Sequence, residues 1–499
     1  MEFILIILSS LLFTIPLYQP GLFFFILFVF IPLIYLTNEY DYSHSFIIAL
    51  LIGFLNSLIS FYWIYQPIQE TLNMPFSFNI FIMFIYFLFS ALPLVIWTVI
   101  NKFLQPKYSY SPIIAALSWS ILEYLRFEFL NINPFNYFAY TQSSFSLFTF
   151  YASYGGIFLV SFITVLIASY FVKIFLDPSW KKIIPVGVIF IILIVIPLFG
   201  ADTSDNNIQE KLSVLNLNIN NYQNQFGKIE EEIKILNNLI KNQDSNYIFS
   251  SVNILSFDLL RNEHYRNILY SGLKKNLNNS YIQLGVNSSL DRSYKSPAYN
   301  SLFLLNNKLE IINRYNKKTN ILTSINLKFK KEIVEYFSGY LNFKYPGEKT
   351  ENLEIVSSNK LNYLNLMSEE IYSSLVLDNN FIGENLNLIV NSASEKDFSS
   401  KIYNNLSLSA AVFRAAETKT PVIRAVKGGY SSYINSSGKI VWKDRLKNDI
   451  KNFNLDLNSR ESFYQQHPHR IIYAFAILLS IIIFIKLIMI SRDKLSSRD

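Results

Sequence analysis

Apolar residues fall into long runs over the first 200 positions, at about 3–17, 21–36, 45–65, 78–101, 112–126, 147–174 and 183–199, and an eighth covers about 470–489. Runs near 20 residues match the thickness of a bilayer's hydrocarbon core, so the pattern predicts about eight membrane-spanning helices. Pro16, Pro32, Gly53, Pro93 and Pro197 lie inside these runs. Membrane helices tolerate such breaks because neighbouring groups re-satisfy the freed backbone. Pro20–Gly21 separates the first two short runs, which fit two spans or one re-entrant hairpin. A signal peptide over residues 1–20 fits poorly, since neither a basic leader nor a small-residue cleavage site is present.

Between 201 and 469 the pattern changes. Short β-branched runs at 212–217, 246–250 and 281–286 alternate with helical stretches at 226–243 and 258–278. Hairpin-like segments follow at 299–305 and 309–315. Then come a strand at 386–390, a helix at 400–419, and strands at 420–426, 430–435 and 438–442. Such alternation predicts an α/β domain with a sheet covered by helices. Three regions result: a membrane domain of about seven spans over 1–200, a domain over 201–469, and a final span with its tail over 470–499.

Charge adds orientation. Lys102 and Lys107 follow the fourth run, Lys173, Lys181 and Lys182 the sixth, and Arg492, Lys494 and Arg498 the last. The intervening short loops carry none, so both termini are expected in the cytoplasm and the 201–469 domain on the outer side. The net charge of +7 is read as topology rather than nucleic-acid binding. The sequence holds no cysteine, which excludes disulfides, thiolate metal sites and thiol nucleophiles. Of the four histidines, His467 and His469 form a His-Pro-His step that reads as an interfacial linker rather than a metal pair, and no metal or cofactor site is expected.

Several motifs in this order resemble the apolipoprotein N-acyltransferases. Trp119, Glu123 and Arg126 match that family's Trp-x-x-x-Glu-(Trp/Tyr)-x-Arg segment, and Tyr151–Phe162 its glycine-containing sixth span. Further on, Tyr299–Leu305, Arg314–Lys318 and Phe343–Lys349 resemble its strand and turn motifs. Arg414, Glu417, Pro421, Arg424, Gly429, Ser431 and Gly438 match its longest one. The resemblance implies a multi-span bacterial inner-membrane protein with a periplasmic nitrilase-like, carbon–nitrogen-hydrolase domain, an α-β-β-α sandwich. It also implies transfer of an acyl chain from a phospholipid to the N-terminal cysteine of a lipoprotein, by a protein expected to be a monomer.

Such chemistry needs a nucleophile, a carboxylate base and a lysine for the oxyanion. By the resemblance, Lys317 stands at the lysine. Ser251 or Val252 stands where the base belongs. In the family's Cys-Tyr-Glu turn, Met367 aligns with the cysteine and Glu369 with the glutamate, leaving Ser368 as the nearest hydroxyl. A second family glutamate aligns with Ile325, and the Thr-Asn-Asp-x-Trp-Phe-Gly loop has become Val390-Asn391-Ser392-Ala393-Ser394. A thioether cannot form an acyl-enzyme, so the thiol mechanism is excluded. Two readings follow: an acyltransferase working through Ser368, with Glu369 or Glu370 nearby and Lys317 as oxyanion partner, or an inactive relative that binds or scaffolds lipoproteins or lipids. Glu123 and Arg126 are expected to line a headgroup site, or else to pair within one helix.

Overall fold

The computed structural model describes residues 1–72, 75–105, 110–130, 135–199, 208–219, 225–241, 243–277, 279–289, 298–317, 355–358, 361–372, 386–398, 400–457 and 461–496. The motif at Phe343–Lys349, Ile325 and Pro134 lie outside them. The chain divides into two compact units, Met1–Gln69 with Met74–Asp202 and Ser462–Asp499, and Thr203–Glu461 with Glu70–Asn73.

In the first unit all eight apolar runs lie on helical segments. These are α1 (Glu2–Tyr18), a tight 3₁₀ stretch Pro20–Phe28 leading into α2 (Phe30–Glu39), α3 (Tyr42–Phe61), α5 (Phe76–Leu104), α6 (Pro112–Leu125), α7 (Ser146–Leu176), α8 (Trp180–Phe199) and a C-terminal helix (Arg470–Ser496). A short α4 (Tyr65–Leu72) follows α3. Among the described residues six helices are long and apolar enough to cross a membrane. α1 has 17 residues and α6 only 14, because a wide π-type turn at Arg126–Leu130 ends α6 early. Only 11% of the most apolar stretch of α8 and of the C-terminal helix is buried within the chain, which leaves their apolar faces for lipid.

An aromatic cluster fastens the centre of this unit. Phe30 stacks on Trp97 at 4.4 Å and on Phe138 at 5.4 Å, and Trp119 meets Phe138 edge-on at 4.6 Å. Within α7 the helix breaks at Gly155–Gly156, where Gly156 has φ +62°. A side chain there would strike the Tyr464 ring at 2.3 Å.

The second unit has two six-stranded sheets. One is ordered β12-β1-β2-β3-β4-β5, the other β11-β10-β9-β8-β7-β6. The first comprises β1 (Ile208–Asn216), β2 (Tyr247–Ser250), β3 (Tyr281–Ser289), β4 (Ala298–Leu305), β5 (Ile311–Asn316) and β12 (Asp449–Leu457). The second comprises β6 (Ile355–Ser358), β7 (Leu361–Met367), β8 (Leu388–Ser394), β9 (Val422–Lys427), β10 (Ser431–Ile434) and β11 (Ile440–Asp444). Alternation along each strand assigns its two faces. Leu212, Val214, Tyr247, Phe249 and Leu304 pack with Tyr363, Val390, Ile423 and Ala425 in a core between the sheets. The opposite parity, with Leu215, Ile248, Ile282, Leu284, Val286 and Phe303, packs against α9 (Gln225–Ile240) and α10 (Glu263–Asn276). α9 presents Ile229, Ile233, Leu236 and Ile240 at helical spacing to that face. α11 (Lys401–Thr418) is buried along almost its whole length. This is the expected α-β-β-α sandwich. The sequence pattern had not revealed β6, β7 and β12.

Candidate functional site

Strand β7 is buried through Met367, and the chain then bends sharply. Ser368 has φ +48°, a left-handed conformation that costs energy for a serine, and opens a single tight turn, Ser368–Tyr372. Met367 is the last strand residue, paired in register with Ser392 and fully buried. Ser368 is partly exposed. The bend that presents a side chain outward therefore falls on Ser368, one residue past the position aligned with the family's cysteine.

Three groups surround the bend. The Glu369 carboxylate pairs with Lys317 Nζ at 2.7 Å, and both side chains are nearly buried. The Glu370 carboxylate accepts hydrogen bonds from the Met367 backbone N–H and the Tyr315 hydroxyl, each at 2.7 Å. Tyr315 is enclosed and faces that carboxylate, so its hydroxyl titrates well above the usual tyrosine range, through burial first and the Glu370 charge second. The structure thus brings together Lys317, Ser368 and Glu369. It places Glu370, the other carboxylate the sequence offered, against Tyr315 of the lysine motif.

A layer beneath holds the bend in place. Asn391 donates to the carbonyls of Leu366 (3.2 Å) and Ser368 (3.3 Å) and accepts from Arg424 Nε at 3.0 Å. Arg424 pairs in turn with Glu395 at 2.7 Å. Arg414 is ion-paired with Glu417 and donates from Nε to the Ile371 carbonyl at 3.0 Å. Arg414, Glu417 and Arg424, legible in the sequence only as family markers, are the scaffold of this turn.

No carboxylate comes from β2. Ser251 Oγ donates to Asn216 Oδ1 at 2.8 Å, and Asn216 Nδ2 donates to the carbonyls of Val426 (3.1 Å) and Leu446 (2.6 Å). Ser250 Oγ accepts from the Gly285 N–H at 2.9 Å. Where the resemblance led one to expect a base, Ser251 sits in a buried, neutral, mutually satisfied network. Asp258, further on, accepts from the N–H groups of Leu260 and Ser289 and the hydroxyls of Ser288 and Ser289. Burial pushes its pKa up, but these donors outweigh it and hold the carboxyl below its ordinary range. Asp258 is a structural anchor.

In the first unit, Glu123 accepts from the Phe138 N–H at 2.9 Å, and Arg126 donates from Nη2 to the Asn136 carbonyl at 2.6 Å with its guanidinium 4.5 Å from the Tyr137 ring centre. Both are buried, and they do not pair: no carboxylate among the described residues lies within 4.0 Å of Arg126. His469 Nδ1 lies 3.2 Å from the Tyr124 hydroxyl. Among the described residues no three His, Asp or Glu gather as a metal site would need.

The chain thus combines a unit of long apolar helices with an α-β-β-α sandwich that carries a sharp turn at Ser368. Residues 9–170 match the apolipoprotein N-acyltransferase N-terminal domain. An apolipoprotein N-acyltransferase of Wigglesworthia glossinidia brevipalpis is 25% identical over 448 residues, 85% of each chain. On these matches the chain's resemblance to the apolipoprotein N-acyltransferase family stands. Among solved structures, Saccharomyces cerevisiae Nit3, of branch 10 of the nitrilase superfamily, aligns with 54% of this chain and 98% of its own at 14% identity and TM-score 0.39. XC1258 from Xanthomonas campestris, a CN-hydrolase superfamily protein, aligns with 54% of this chain and 97% of its own at 11% identity and TM-score 0.37.

Proposed function

We propose that this protein N-acylates the amino terminus of lipoproteins through a serine ester, with Ser368 in place of the family's cysteine. The observation that carries this reading is the left-handed bend at Ser368, directly beside the Lys317–Glu369 pair. A backbone held in a costly conformation persists only where its surroundings fix it, and here Glu370, Asn391 and Arg414 do so.

In the first half-reaction Glu369 takes the Ser368 hydroxyl proton while the oxygen attacks an acyl-ester carbonyl of a phospholipid. The Lys317 ammonium steadies the oxyanion. The ester C–O bond to glycerol breaks, and the departing alkoxide takes the proton back from Glu369 as a lysophospholipid alcohol. In the second half the lipoprotein's α-amine attacks the serine ester, the C–Oγ bond breaks, and the amine's proton returns to Ser368. An amide forms and the enzyme is restored. The alternation of lysine-bearing loops supports an inner-membrane protein with both termini in the cytoplasm and the sandwich in the periplasm. We take it to act as a monomer on phospholipid and lipoprotein, with domains at 1–200, 201–469 and 470–499.

Purified protein incubated with phospholipid and a diacyl lipopeptide yields triacyl lipopeptide. Ser368→Ala abolishes it while Ser373→Ala does not. Absence of product from the unmutated protein, with the lipopeptide still bound, would make it a binding protein and overturn the reading.

A further inference from the structure

We infer that the Ser368 site also passes acyl groups to water, which makes the protein a slow phospholipid acyl hydrolase whenever no amine acceptor is docked. The inference rests on the serine-ester reading above and follows from which atom forms the ester. The chain has no cysteine. Met367, at the position aligned with the family's cysteine, is fully buried at the end of β7, and its sulfur is a thioether. The left-handed bend falls on Ser368, which is partly exposed, so the ester formed there is an oxygen ester.

Oxygen esters and thioesters discriminate differently between acceptors. Attack on either gives a tetrahedral adduct, which sheds the weaker base. The conjugate acid of an α-amine has a pKa of about 8 and a cysteine thiol about 8.5, so an amine adduct on sulfur readily expels thiolate. A serine alkoxide is nearly as strong a base as hydroxide, whose parent water ionises at about 15.7. The amine adduct on Ser368 therefore returns its amine unless a base first strips the N–H proton. The adduct with water carries two leaving groups of similar basicity and goes forward about as readily as back. Oxygen at this position thus hinders transfer to amines far more than transfer to water.

The surroundings admit water and supply a base. Lys317 and Glu369 lie 2.7 Å apart and keep 13% and 10% of their side-chain exposure, so solvent reaches the pair. Glu370 is turned to the Met367 N–H and the Tyr315 hydroxyl, and Ser251 lies in its neutral network. Among the described residues, Glu369 is the carboxylate set against the lysine. It takes a proton from water as the water oxygen attacks the ester carbonyl, and the Lys317 ammonium steadies the oxyanion. The C–Oγ bond breaks, Glu369 returns the proton to Ser368, and a fatty acid leaves. Each turnover converts one phospholipid and one water into one lysophospholipid and one fatty acid.

The full chain, purified in detergent, is given phospholipid in water labelled with heavy oxygen, without lipopeptide. Lysophospholipid forms in a burst of about one equivalent and then slowly, matched by fatty acid carrying the label. Added diacyl lipopeptide diverts the flux, so fatty acid falls as triacyl lipopeptide rises. Ser368→Ala removes both products. Ser368→Cys restores sulfur at nearly the same size and raises the ratio of triacyl lipopeptide to fatty acid at least about tenfold. It decides the matter should Ser368→Ala fail to fold. A burst that leaves acyl-Ser368 and no later fatty acid overturns the inference and leaves the serine ester standing. No acyl-Ser368 at all overturns both. Fatty acid that persists in Ser368→Ala, or a ratio unmoved by Ser368→Cys, overturns the inference as well.

Discussion

The Tyr315 hydroxyl and the Glu370 carboxylate meet at 2.7 Å, linking strand β5, two residues before Lys317, to the turn that opens at Ser368. One buried hydrogen bond thereby sets the strand that leads into Lys317 against the Ser368 turn. Glu370 also holds the backbone of Met367. The geometry of the site depends on a residue that does no chemistry.

Tyr315→Phe removes that donor and leaves a buried carboxylate oxygen one partner short. Losing a buried hydrogen bond to a charged group costs about 1.5–3 kcal/mol. Denaturant unfolding of the full chain in detergent should show a loss of that size. Acyl transfer should fall by more than the fraction unfolded explains. Wild-type stability in Tyr315→Phe would contradict this role.

Arg414 and Glu417 are both buried, with their charges satisfied by each other and by the Ile371 carbonyl. Arg414→Met strands a buried carboxylate and should destabilise the fold by about 3–5 kcal/mol. The double variant Arg414→Met, Glu417→Leu should recover much of that loss, because it removes the stranded charge. A double variant as unstable as the single one would show that packing, not charge, sets the cost.

Asp258 gives the protein an acid-sensitive anchor. Its carboxyl titrates below the ordinary value when folded, so the stability it contributes is present above about pH 3.9. That contribution is lost as pH falls from there through the lower folded value. Asp258→Asn should lower the melting temperature at neutral pH and flatten its decline below pH 4. An unchanged acid slope would sink the assignment.

Gly156 adopts φ +62° under the Tyr464 ring. Gly156→Ala should reduce folded yield in membranes through both strain and collision. Tyr464→Ala should restore only part, since the backbone strain remains. Full recovery would mean the collision alone matters.

Much of the fold was legible in the sequence because its signals are periodic. Apolar runs located the long helices of the membrane unit, and alternation located β1 to β5 and β8 to β11. The shortfall in spanning length at α6 was hidden because a π-type turn leaves no mark on hydropathy. Strand β7 was missed because Leu361-Asn362-Tyr363-Leu364-Asn365 mixes polar and apolar residues on a strand buried on both faces. At the site, Lys317, Ser368 and Glu369 could be named from motif order alone. The hydrogen bond between Glu370 and Tyr315 could not, since it spans 55 residues and depends on which strands lie side by side. The failure of Glu123 to pair with Arg126 was equally invisible, because their spacing fits a helix that in fact ends there.

The proposed acyl transfer turns on one oxygen atom, Oγ of Ser368. Protein incubated with phospholipid alone, without an acceptor peptide, should accumulate an acyl ester that mass spectrometry locates on Ser368 and that hydroxylamine releases. An acyl group on another residue, or none on a protein that still makes triacyl lipopeptide, would contradict the account.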